Sequence, residues 1–102
     1  MKEKLVAAFI FIAPKAEPTK HRAVIDTPMV RLIAIGVKNY NEAVEEAKRL
    51  VREDNVSVIE LCGGFGHIGA AKVAEAVNVP IGVVRFDVHP GLQCKSGDKV
   101  FL

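Results

Sequence analysis

Residues 56–91 read VSVIELCGGFGHIGAAKVAEAVNVPIGVVRFDVHPG, and the order of elements in this stretch decides the fold. Residues 56–61 are an apolar run of strand length that closes on two glycines, which predicts a strand. Residues 69–77 place Ala70, Val73, Ala74 and Val77 on one narrow face, as in a helix whose small side chains let it lie close to a sheet. IGVVRF, residues 81–86, is a second apolar run rich in β-branched side chains, hence another strand. Strand, helix and strand joined by short turns make a right-handed unit with parallel strands. The turn after the first strand and the loop after the second therefore emerge at one edge of the sheet. Open α/β sheets bind their ligands outside that carboxyl edge.

Upstream, Tyr40–Asp54 is the clearest helix in the chain. Asn39 stands where an N-cap belongs, Glu42 follows three residues later, and Ala43, Val44, Ala47, Leu50 and Val51 form the buried stripe. Residues 29–37 and the run LVAAFIFI, Leu5–Ile12, are two further strands. Residues 18–26 predict a short first helix, with Pro18 in its first turn and His21, Val24 and Ile25 on one face. If that helix is absent, the two strands it connects are free to pair antiparallel instead. Residues 87–102 read as loop with one short edge strand. The expectation is a single α/β domain over residues 1–102. Its sheet would have four mostly parallel strands in the order 2-1-3-4, a truncated flavodoxin-like or Rossmann-like arrangement with two main helices.

Composition narrows the function classes. The net charge is +2, and basic residues alternate with acidic ones instead of clustering, which argues against a nucleic-acid partner. The apolar stretch at residues 5–13 is too short to span a bilayer and lacks a cleavage-site pattern, so no membrane partner is expected. Two cysteines in 102 residues do not make a disulfide framework, and a reducing cytoplasm is the expected location.

The chemistry-bearing residues gather at the two strand ends. Gly64, Gly66 and Gly69 match G-x-G-x-x-G between a strand and a helix, and Asp87 closes the next strand. The chain lacks the second half that a dinucleotide fold needs, so no cofactor is assigned. A turn of this kind at a helix start still suits a small anion, with Gly63, Gly64 and Gly66 offering amides. Cys62, beside the same helix start, is a candidate nucleophile with His67 or His89 as its base, against the plainer reading of a packed thiol. His67, Asp87 and His89 are candidates for acid–base work. They are also metal-ligand types, but no ligand signature accompanies them, and a hydrogen-bonded structural cluster is the stronger reading. Glu60 and Arg85 are lone charges near the ends of apolar strands, expected to pair with each other or with a ligand.

At ELCGGFGH (residues 60–67) and RFDVHPG (residues 85–91) the chain resembles a family of small prokaryotic α/β proteins grouped as a domain of unknown function. The likeness extends to the early Ala13-Pro14 and Arg22-Ala23-Val24-Ile25 segments and to Gly36-Val37 and Tyr40. It implies a shared fold and a shared site, and it brings no catalytic assignment. Two expectations stand side by side. One is a site for a small anionic molecule at the carboxyl edge. The other is a non-catalytic homo-oligomeric module whose polar cluster braces a subunit interface.

Overall fold

The computed structural model describes residues 4–102. The elements run β1 (Leu5–Ile12), β2 (Arg22–Asp26), β3 (Val30–Val37), α1 (Tyr40–Asp54), β4 (Val58–Leu61), α2 (His67–Ala76) and β5 (Ile81–Val83), then a 3-10 turn (Pro90–Leu92) and α3 (Gly97–Phe101). They form a small α/β domain with one mixed sheet of five strands in the order β2-β3-β1-β4-β5. β1 pairs in parallel with β3 and with β4, and β4 pairs in parallel with β5.

The expected four strands are thus five, and the expected helix at residues 18–26 does not exist. Arg22–Asp26 is instead an edge strand, antiparallel to β3. Its five residues satisfy a helical spacing and a strand equally well, and the free edge of β3 settles the matter by offering a ladder of hydrogen bonds. This strand also explains why β1 and β3 remain parallel without a crossover helix. The chain leaves β1 at its carboxyl end, descends as β2, turns at Thr27 and climbs again as β3. The return path lies in the plane of the sheet rather than above it.

Helix α1 matches its expected bounds. Asn39 Oδ1 accepts from the Glu42 amide at 2.8 Å, while Glu42 Oε1 accepts from the Lys38 amide at 2.9 Å, a reciprocal capping arrangement shifted back by one residue. Helix α2 starts at His67, two residues before the expected Gly69. β5 ends at Val83 because its one partner among the described residues, β4, ends at Leu61 and turns away; the Val84 amide still reaches the Leu61 carbonyl, the last bond of that ladder among the described residues.

Both long helices cover one face of the sheet, as right-handed β3-α1-β4 and β4-α2-β5 crossovers in one direction require. Ile10, Ile35 and Leu61 point to that side and are buried with Leu50 and Val73. Phe9, Ala34 and Glu60 occupy one register row on the opposite face, which no helix among the described residues covers. No helix among the described residues is long and apolar enough to cross a membrane.

Candidate functional site

The carboxyl edge of the sheet carries the turn Cys62–Gly66, and the C-terminal segment folds back onto it. Residues 87–102 are therefore not the loose tail and short edge strand the sequence predicts. A bridge between His89 and Lys95 closes a loop, and Ser96 caps α3 by accepting from the Asp98 amide at 3.2 Å. α3 then drives Asp98 into the start of α2. The carboxylate accepts from the amides of Ile68 at 2.9 Å and Gly69 at 3.1 Å, and from the Tyr40 hydroxyl at 2.9 Å. The same hydroxyl accepts from the Gly66 amide at 3.1 Å.

The helix start that resembles an anion cradle thus already holds an anion, and it is the protein's own. Burial alone drives the Asp98 carboxyl upward, but the two amides and the phenol outweigh it and hold the group below the ordinary carboxylate range. The Tyr40 phenol is pushed up to about 12, chiefly by burial. Its ring stacks on Phe65, with centroids 5.6 Å apart, and meets Phe101 at 5.7 Å.

The glycines of this region serve close approach. None among the described residues takes a positive φ. A side chain at Gly69 would strike the Tyr40 ring, one at Gly66 the Asp98 carboxylate, and one at Gly97 the carbonyl oxygen of Gly64. Sequence reasoning missed Tyr40, Gly97 and Asp98 as a group. The available signals were the Ser96-Gly97-Asp98 cap pattern and a lone tyrosine opening a helix.

The predicted site residues separate into three clusters. His67, Arg85 and Asp87 form a chain at the surface: Arg85 Nε donates to His67 Nε2 at 2.7 Å, and its terminal nitrogen pairs with Asp87 Oδ1 at 2.7 Å. That bond needs a bare Nε2, so a neutral His67 carries its proton on Nδ1. A second cluster sets the tilted rings of Phe86 and His89, centroids 4.6 Å apart, against Gly63, where any side chain would collide with the Phe86 ring. His89 Nδ1 accepts from the Gly91 amide at 2.9 Å, which shapes its turn. Third, Cys62 Sγ accepts from the amides of Ile12 at 3.4 Å and Gly64 at 3.3 Å, between the ends of β1 and β4. No hydrogen bond among the described residues joins Cys62 to either His67 or His89.

Glu60 stands apart from all three. The expected Glu60–Arg85 pair is absent: Arg85 takes Asp87 and His67, while Glu60 is exposed on the uncovered face of β4. The premise that these charges are buried fails for Glu60 because one face of the sheet is open, and for Arg85 because β5 ends at Val83, before it. Among the described residues no group of three or more His, Cys, Asp or Glu side chains is placed to hold a metal ion.

Between the start of α2 and the end of β5 lies an open groove of about 230 Å³. Phe65, Ala70, Val83 and Val84 give it apolar walls, and His67 and Arg85 add the polar part of the lining. A small molecule with an apolar body and one negative group matches those walls.

The family model described as Family of unknown function (DUF6506) matches residues 5–99, and the chain belongs to that family. No curated protein and no solved structure matches it.

Proposed function

We propose that this member of the DUF6506 family binds a small anionic molecule at the carboxyl edge of its sheet, in the groove between α2 and β5. One observation carries the reading: Arg85, hydrogen-bonded to His67 and partly exposed, lines a groove whose walls are otherwise mostly apolar. Arginine offers a planar fork of donors that suits a carboxylate or a phosphate. In this reading the ligand's anionic group displaces the exposed Asp87 from Arg85, and its apolar part lies on Phe65 and Val83. The backbone at Gly63, Gly64 and Gly66 shapes the turn, since the amides of the helix start serve Asp98. His67, which lines the groove, and Asp87, paired with Arg85, are the candidates for proton transfer to or from a bound molecule. Cys62 and His89 lie in separate clusters and would act only on a ligand long enough to cross the turn. Two free cysteines, Cys62 and Cys94, suit a reducing compartment such as the cytoplasm.

The test is a thermal-shift titration with benzoate, phenyl phosphate, acetate and inorganic phosphate. A ligand at a hundred times its Kd adds about 2.7 kcal/mol to the folded state. Benzoate or phenyl phosphate is expected to raise the melting temperature more than its small counterpart, and Arg85→Ala is expected to remove the shift. An equal shift in Arg85→Ala, or no shift in the wild type with any of the four, sinks the reading.

A further inference from the structure

We infer that two copies of this chain associate face to face through the side of the sheet that carries no helix. The inference is independent of the anion site and begins with the connectivity. Parallel strands occur almost only where both faces of their sheet are covered. Here α1 and α2 cover one face, and the β1–β3 connection, which would ordinarily supply a helix to the other, is spent on β2.

What that leaves open is apolar across the width of the sheet. One register row sets Ile25, Leu32, Ala7 and Val58 side by side, and the next sets Ala23, Ala34, Phe9, Glu60 and Gly82. Leu5 on β1 is 46 % and Ile25 on β2 57 % exposed, two large apolar side chains bared on the same face with β3 between their strands. Phe11 lies flat over Gly36 and keeps the upper part of the face low.

The chemistry of the face selects its occupant. No strand residue on it is basic, so it lacks the cations that a lipid surface or an acidic partner calls for. The one charge among its described strand residues, Glu60, borders a notch of about 170 Å³ beside Gly82 and Val84, toward the β5 edge. A nearly neutral, apolar centre with charge toward the rim is the composition of a homodimer interface. Such a surface is complementary to itself under a two-fold axis. The area is adequate: five strands about 4.8 Å apart and six residues of about 3.3 Å each give roughly 480 Å² of flat footprint per copy. Doubled, that approaches the roughly 1,000 Å² expected of a specific interface, before side-chain relief is counted.

Sedimentation equilibrium from 1 to 100 µM tests this directly. The wild type is expected to sediment at twice the 11.1 kDa of one chain at the upper concentrations. Ile25→Lys and Leu5→Lys, both at exposed positions of the bare face, are expected to weaken association at least tenfold. Ile68→Lys, an equally exposed apolar site on α2, should leave it unchanged. Carbodiimide labelling of Glu60 in the wild-type protein supplies a readout that needs no variant to fold. It should slow several-fold between 1 and 100 µM. A wild type that stays monomeric at 100 µM overturns the proposal. So does a dimer untouched by both face variants, or Glu60 labelling that is independent of concentration. A monomer that binds anionic vesicles would assign the face to lipid instead.

Discussion

Gly97→Ala is expected to cost the fold about 3 kcal/mol, because the added methyl meets backbone rather than a movable side chain. The Gly64 carbonyl and the Gly66 amide both lie within reach of a Cβ at this position, and neither can retreat without opening the turn. Relief comes only if α3 lifts, and lifting α3 withdraws Asp98 from α2. For a domain of this size each kcal/mol lowers the melting temperature by roughly 4–8 °C. Urea denaturation read by tyrosine fluorescence checks this cleanly, since the chain has no tryptophan and Tyr40 is its one tyrosine. A change below about 0.5 kcal/mol, the range of ordinary surface substitutions, would show that α3 does not seat against the turn as described.

Asp98→Ala carries the second large effect, about 2–3 kcal/mol. It strips two helix-start amides and the Tyr40 hydroxyl of one shared acceptor. Acid titration tests the electrostatic part. The Asp98 carboxyl is lowered in the folded state, so its contribution is complete above the unfolded value of about 4 and fades as pH falls through the lower folded value. The stability gap between wild type and Asp98→Ala should therefore narrow on acidification below about pH 4. Tyr40 works at the other extreme. Its folded value of about 12 stands above the unfolded value of about 10. Stability is therefore intact below about pH 10 and declines as pH rises toward 12, and Tyr40→Phe removes that decline. A gap that stays constant across the acid range would contradict a charged Asp98 at the helix start.

Much of the scaffold is legible in the sequence, and the reasons are local. α1 announces itself through Asn39, Glu42 and a complete apolar stripe, each written within one turn of the next. β1, β3 and β4 are mainly apolar runs; the α1 crossover makes β3 and β4 parallel, whereas β1 and β3 are parallel by way of β2 and no helix. RAVID misleads because five residues cannot separate a 3.6 period from a period of two. The edge of β3 decides it, and that edge is a tertiary fact. The site divides the same way. The turn at Cys62–Gly66 is visible, and so is the helix that follows it. That Asp98 occupies the start of that helix, on the amides of Ile68 and Gly69, is not, since the bond spans about thirty residues and the α3 segment has no periodicity to mark it. The Glu60–Arg85 expectation fails for a related cause: burial is inferred from apolar neighbours in sequence, whereas the exposure of Glu60 follows from the missing helix.

The central position of β1 has a kinetic side. Its apolar run is made before every strand it pairs with, since its register partners Val30 and Val58 lie later in the chain. The nearest pairing along the chain is between β2 and β3, which close on each other through the turn at Thr27 without waiting for anything else. That hairpin and α1 can form while LVAAFIFI is still unpaired, and the strand at the centre of the sheet waits for partners on both sides. Non-local pairing of this kind is slow and leaves a sticky segment exposed in the meantime. A strand that ends at the heart of the sheet begins as the chain's chief hazard for misassembly during synthesis.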